Sequence, residues 1–566
     1  MYGLYFQPFD PPPPVKQSTH PCRGRTKCDA CIKFALLEDQ RKETPTITED
    51  EKFAAEYRKT LTAMNENHDP LLRKLPAEII GQIFEVCGPF SDEQDCRLRT
   101  GAICRAWRRI SWATPGIWSR ITVILAAPEE QHQAELAEEW LQRSGDLPLD
   151  ILVREQFVCR STKFAPSPED VDALAKVLNK FSHRWARLHI DGPPIHHSLF
   201  TGNEHGAGRL QFLTLTFYWF TTGYHRKILP SDQFQLSASS LPHPSNVELY
   251  DVSPSAVKIA WDHVVSVSLT SRRLQDARSI LELAPQMKTL QFDVSTNPPS
   301  SMASEPKWPR ITHERLEDLT LSFVDCKWDI QPLIDSLTLP ALRKFKLDGF
   351  SCCEIRSQEE LDRAIPFPAL GFMVARSACA LEELHLHDSD YHTSELVDFL
   401  SSARLASLEC LELKGFFRLW KHSLPDELFK RLAETCDDDK PFLPNLRSLS
   451  YTLLSSPRIG TIYPEEDFPW GDVVGMFGTR NHPSKRPLTR LLICRDYGRG
   501  IPLQDYNMDI LDTEIARALV DLQMRPGMQL EVHDFRDSDI LKKYYHQKFG
   551  IVTPPECAPR GWRMLE

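Results

Sequence analysis

The sequence predicts an α/β fold: a small helical module near the N-terminus, then an irregular solenoid of parallel strands with helical returns. Two observations carry this. An L-x-x-L-x-L pattern recurs nine times between Leu210 and Ile493, and Trp185-Leu188-Ile190 begins the series. Ahead of it, residues 75–118 hold two apolar stripes at helical spacing, closed by a Thr-Pro-Gly turn. At 566 residues the chain is also too long for one compact core, which agrees with a repeat array.

In chain order, residues 1–48 read as a disordered tail. Pro11 to Pro14 favour extended polyproline geometry. His20, Cys22, Cys28 and Cys31 include a Cys-x-x-Cys, a spacing known from zinc sites. A second Cys-x-x-Cys is missing, so the thiols read as incidental and no metal is assigned. Residues 49–69 read as a helix preceding the module, with acids at its start and Phe53, Tyr57, Leu61 and Met64 on one face. That face suits packing on the module better than a coiled-coil dimer, since fewer than three heptads are present.

Residues 70–120 form the module. Pro76 is pre-set for a first helical turn, and Glu78 suits the positive helix end. Ile79, Ile80, Ile83, Phe84 and Cys87 make one helical stripe. Leu98, Ala102, Ile103, Cys104, Trp107 and Ile110 make a second, and Thr114-Pro115-Gly116 ends it. Gly81 and Gly101 fall inside these helices, each costing about 0.5–1 kcal/mol relative to Ala.

The run Leu75-Pro76-x-Glu78-Ile79-Ile80-x-x-Ile83-Phe84, then Cys104-Arg105-x-Trp107-Arg108-x-Ile110, then Thr114-Pro115-x-Ile117-Trp118 resembles an F-box, specifically the F-box-like domain of large fungal families. Trp140-Leu141-x-Arg143-Ser144-Gly145 with Pro148-Leu149, and Val247 to Leu269 around Trp261, are similar to the same families. The resemblance implies a helical bundle that docks onto the Skp adaptor of a cullin-RING ubiquitin ligase. It implies a Skp contact through Leu75, Pro76, Ile79, Ile80, Ile83, Phe84, Ile103, Cys104, Trp107 and Trp118. Some of these must hold the bundle together, because about 50 residues supply little core.

Residues 121–530 read as the solenoid and 531–566 as a C-terminal segment. A first strand is expected at Leu149-Ile151-Val153. Repeat spacings include 23 (Val264 to Met287), 29, 26, 39, 27, 38 and 42 residues (Leu446 to Leu488). The shorter ones match a leucine-rich repeat of one strand plus one helix, and residues 274–283 and 394–400 are the clearest returns. Regular repeats place Asn or Cys three residues past the last apolar strand position. Val324, Phe350, Ser389 and Phe416 stand there instead, so the solenoid is irregular.

Alternation along a strand converts the repeats into a surface map. If Leu384 and Leu386 point inward, Glu383, His385 and His387 lie on the opposite, concave face. The same register adds Asp318, Lys344, Lys346, Glu412 and Lys414, and this polar stripe is the predicted partner-binding surface. His385, His387, Asp388 and His392 also invite a metal reading, but no third ligand of fixed geometry is evident and no metal is assigned. Cys352-Cys353 read as filler.

Composition narrows function. Net charge is -11 and the pI about 6.0, which argues against general nucleic-acid binding. No apolar run reaches membrane-spanning length, and the N-terminus lacks a basic-then-apolar leader. Fifteen scattered cysteines make no disulfide framework, so they read as reduced thiols in the cytoplasm or nucleus. Phosphate-loop, nucleophile-elbow and His-Glu-x-x-His motifs are missing, and neither catalysis nor a cofactor is expected. The resemblance implies a substrate-recognition subunit of an SCF-type ligase, with the solenoid holding a target protein. The alternative is a stand-alone leucine-rich-repeat scaffold whose F-box-like helices only cap the solenoid.

Overall fold

A computed structural model of the chain describes residues 28–43, 51–86, 100–125, 130–155, 168–192, 194–217, 234–236, 241–271, 273–294, 308–323, 330–349, 366–387, 393–416, 424–439, 441–454, 469–478, 484–496 and 513–534. It divides into two units, Met1–Ala260 and Trp261–Glu566.

The first unit opens with helices α1 (Asp29–Glu43), α2 (Glu51–His68), α3 (Pro70–Lys74), α4 (Ala77–Val86), α5 (Arg105–Trp112) and α6 (Pro115–Trp118). Among the described residues, five parallel strands of the long sheet follow: β1 (Arg120–Leu125), β2 (Leu149–Glu155), β3 (Trp185–Asp191), β4 (Phe212–Thr216) and β5 (Asn246–Tyr250). Helix α7 (Glu130–Arg143) returns the chain from β1 to β2, and α8 (Pro168–Lys180) from β2 to β3. The pairing sets Ile121 and Val123 beside Ile151 and Val153, then Leu188 and Ile190, Leu213 and Leu215, Val247 and Leu249. All ten side chains are buried. The first strand is therefore β1, one repeat earlier than Leu149 suggested.

Residues 1–48 are not tail throughout, because Asp29–Glu43 is helical. Cys31 and Leu37 are buried, and Phe34 packs on Tyr57 of α2 with ring centroids 5.4 Å apart. The apolar face of α2 thus packs on α1, where packing on the module was expected. Cys31, Phe34 and Leu37 sit at steps of three, a short stripe overshadowed by the proline-rich start.

Within the module, Ile80, Phe84, Ile117 and Trp118 form a core, with Leu71, Leu72, Leu75, Ile83, Trp107, Ile110 and Trp140 around it. The second stripe is not one helix. Cys104 is extended (φ -153°), and its Sγ accepts the Trp107 N–H as the N-cap of α5. Asp69 caps α3 by accepting from the N–H groups of Leu71 (2.8 Å) and Leu72 (3.2 Å), and its other oxygen accepts the Trp107 indole N–H. Gly81 has a packing reason: a Cβ there would lie 2.6 Å from Thr114 Oγ1, so its helix cost is accepted for close approach of α4 to the turn before α6.

Among the described residues of the second unit, the long sheet has nine parallel strands: β6 (Ser266–Ser271), β7 (Thr289–Val294), β8 (Asp318–Phe323), β9 (Lys344–Gly349), β10 (Glu383–His387), β11 (Cys410–Phe416), β12 (Ser448–Leu454), β13 (Arg490–Asp496) and β14 (Gln529–Asp534). Helices α9 (Leu274–Leu283), α10 (Gln331–Ser336), α11 (Phe367–Ser377), α12 (Thr393–Leu400), α13 (Leu424–Glu434), α14 (Trp470–Gly475) and α15 (Thr513–Gln523) lie between them in sequence. The inward rows align: Val267 and Leu269, Leu290 and Phe292, Leu319 and Leu321, Phe345 and Leu347, Leu384 and Leu386, Leu411 and Leu413, Leu449 and Tyr451, Leu491 and Ile493, Leu530 and Val532. Each such buried Leu contributes about 1.5–3 kcal/mol. The repeat runs to Asp534, so the expected boundary at 530 cuts its last strand.

A different device does what the missing Asn ladder would do. Cationic or imidazole side chains from later positions bind carbonyls at or near the ends of earlier helices. Arg184 Nε donates to Leu147 O (3.0 Å) and Nη1 to Leu141 O (3.3 Å). His313 Nε2 donates to Ala284 O (3.0 Å), while its Nδ1 accepts from Leu316 N. Arg376 donates to Leu337 O (2.9 Å) and Ile334 O (3.0 Å), and Arg486 to Leu432 O and Phe442 O, both at 3.0 Å. Leu141, Ile334 and Leu432 lie in the last turns of their helices, where carbonyls run short of backbone donors, and Leu147 and Phe442 lie in the chain that follows. Burial pulls Arg486 down to about 10, so it remains charged at neutral pH.

Candidate functional site

The polar face of the second unit carries one charge network across β8 to β11. Register places Lys344 beside Glu383, Lys346 beside His385 and Asp348 beside His387, and on the next strand Glu412 beside His385 and Lys414 beside His387. Lys344 Nζ lies 2.7 Å from Glu383, and Lys346 Nζ lies 3.1 Å from Asp348. Glu412 lies between two imidazoles: Oε2 is 3.0 Å from His385 Nδ1, and Oε1 is 3.0 Å from His387 Nε2. His387 Nδ1 is 3.8 Å from Asp348. Six of the eight predicted face residues, Lys344, Lys346, Glu383, His385, His387 and Glu412, therefore sit in one set of ion pairs. Asp318 pairs in register with Lys344, and burial raises its carboxyl above the usual range. Lys414 lies beside His387 and Thr452.

Electrostatics fix the protonation pattern. The Cys410 sulfur and the Glu412 carboxylate raise His385 to about 10. Burial opposes charge on His387, but Asp348 and Glu412 outweigh it and hold the imidazole above its ordinary value. The two imidazoles hold Glu412 well below the usual carboxylate range. At neutral pH His385 is thus an imidazolium beside the Glu412 carboxylate, and His387 is shifted in the same direction.

His385, His387 and Glu412 also place three donor atoms within 4.8 Å of one another. The third ligand unseen in sequence comes from the neighbouring strand, where only register could reveal it. Asp388 and His392 lie outside the described residues. A protonated imidazole does not coordinate a metal, so with His385 charged and both rings paired to Glu412 the trio is a salt-bridge centre.

Sequence reasoning missed a second polar group, in the first unit. His189 and Asp191 alternate with Leu188 and Ile190 on β3, so the same period-two rule reaches them. Burial, aided by Arg154, lowers His189 to about 4. Burial raises Asp191 to about 6, although Arg154 Nε stands 3.9 Å away and works against the rise. His197 is fully enclosed, and burial lowers it to about 3.

The ten residues implied for Skp contact separate by exposure. Pro76, Ile79 and Ile103 are exposed, and Leu75, Ile83 and Trp107 are half-buried. Ile80, Phe84, Cys104 and Trp118 are buried, and three of these form the module core. The module also packs on the first repeat: Trp118 meets Trp140 of α7 edge to face at 4.8 Å, and Arg143 stacks over Trp112 (4.4 Å) and Trp118 (5.0 Å). Of the N-terminal donors, Cys28 and Cys31 meet His68, while His20 and Cys22 lie outside the described residues. Among the described residues no helix is long and apolar enough to cross a membrane.

No family model matches the chain, and no curated protein matches it in sequence. Among solved structures, an LRR protein of Leptospira interrogans is similar over 77% of this chain and 90% of that one, at 14% identity and a TM-score of 0.25. A likeness that low adds nothing to the topology. The leucine-rich-repeat character rests on the parallel strands and their aligned apolar rows.

Proposed function

We propose that the chain is the substrate-recognition subunit of an SCF-type ubiquitin ligase. The F-box-like module binds the Skp adaptor, and the polar sheet face of the repeats binds a target protein. The chain itself performs no bond chemistry; it raises the target's effective concentration at a ligase whose catalysis resides elsewhere. One observation carries the reading. Helix α4 buries Ile80 and Phe84 while leaving Ile79 exposed, as is Pro76 just before it, so the motif supplies both a core and unburied apolar side chains. The test is affinity capture of the full chain from its native cell, read for Skp and cullin. Co-capture that is lost in a Leu75→Ala/Pro76→Ala variant of unchanged circular dichroism supports the reading. Absence of both partners from the wild-type capture sinks it.

The seating of the module on the first repeat favours a second reading, a stand-alone interaction scaffold. Trp118 and Arg143 close the apolar end of the array there, as a solenoid cap must. In that case truncation of residues 70–118 exposes Trp140 and costs solubility, and no ligase subunit is captured.

A further inference from the structure

We propose that Cys28, Cys31 and His68 form a zinc site joining the first two helices. Cys28 immediately precedes α1 and Cys31 lies in its first turn, so a three-residue step puts both thiols on one face. His68 is the last residue of α2. Its Nε2 lies 3.0 Å from Cys28 Sγ and 3.2 Å from Cys31 Sγ, and the three donor atoms all fall within 4.8 Å of one another. Donors 37 and 40 positions apart in sequence thus converge on one point, in a part-buried setting.

The chemistry selects the ion. Zinc binds thiolate at about 2.3 Å and imidazole at about 2.0 Å in tetrahedral geometry, which separates donor atoms by about 3.5–3.8 Å. The observed sulfur–nitrogen distances need to open by only a few tenths of an ångström. Two thiolates and an imidazole are soft donors that disfavour calcium and magnesium. The positive end of α1 favours thiolate there, and binding releases the two thiol protons. The described residues supply three of the four ligands that a tetrahedral zinc site takes. The cluster at His385, His387 and Glu412 is the poorer competitor, since its imidazoles are engaged with a carboxylate as ion pairs.

The site has a structural consequence. His68 precedes Asp69, which caps α3 and accepts the Trp107 indole N–H. Zinc would therefore tie the α1–α2 pair to the point where the chain enters the module.

The test uses the full chain, purified without chelator and analysed by mass spectrometry for metals. A single zinc per chain is expected, and cobalt substitution should give a thiolate-to-cobalt charge-transfer band. Cys31→Ser and His68→Ala should each lose the metal, whereas His385→Ala should keep it. Zinc retained by both of the first two variants, or lost in His385→Ala, overturns the proposal. Should those variants fail to fold, alkylation of the wild type decides: zinc must shield Cys28 and Cys31 relative to the chelated protein. Equal alkylation with and without zinc, or a Cys28–Cys31 disulfide in metal-free protein kept under reductant, also overturns it.

Discussion

Replacing Glu412 with Gln removes one carboxylate and keeps its size, so it isolates the charge that His385 and His387 share. In the unfolded chain Glu412 titrates near 4.5, and in the folded chain lower, so its contribution exists above about 4.5 and is lost as pH falls. His385 titrates at 6.5 unfolded and about 10 folded, so its contribution is complete below 6.5 and is lost as pH rises toward 10. The two conditions overlap between about 4.5 and 6.5. The full His385 shift corresponds to about 5 kcal/mol, but Cys410 shares it and the side chain is 25% exposed. Lying between exposed and buried pairs, the interaction should be worth about 1–3 kcal/mol. Urea unfolding followed by circular dichroism, run across pH, should show the largest wild-type advantage near pH 5.5 and a smaller one at both acid and alkaline ends. A pH-independent difference, or a more stable variant near pH 5.5, would refute the shared-charge argument.

Three further outcomes follow from the same contacts. Arg486→Met leaves the Leu432 and Phe442 carbonyls without their donor in a buried setting, and should cost about 2–4 kcal/mol in chemical denaturation. Asp69→Ala removes the α3 cap and the Trp107 partner together; a loss of about 1–3 kcal/mol should appear as faster proteolysis within residues 70–118. Asp191→Asn removes a carboxyl whose folded value, about 6, exceeds its unfolded 3.8. The wild type loses stability as pH rises between those values, so the variant should melt higher above pH 6 and show no gain below pH 4.

Much of the repeat was readable because its signal is local. L-x-x-L-x-L fixes which side chains point inward, and every named row from Leu210 to Ile493 lies in a strand or immediately before one. Period two likewise put His385 and Glu412 on one face. Which of them touch was not readable, since Glu412 reaches His387 and His385, 25 and 27 residues earlier, through strand register set by packing. The arginine staples were also hidden: Arg184 and Arg486 precede strands in sequence, and only the folded return brings helix ends to them. Cys104 misled for a chemical reason. As an apolar residue it extends a stripe, but its sulfur also accepts a hydrogen bond, and it ends up capping α5.

The central claim is that unburied apolar side chains of α4 dock an adaptor, and co-elution of the purified full chain with purified Skp tests it most directly. The account predicts a stoichiometric complex for the wild type. It also predicts loss of that complex on Ile79→Asp, an exposed position, with unchanged circular dichroism. A wild-type chain that elutes apart from Skp, or an Ile79→Asp chain that still co-elutes, would contradict it.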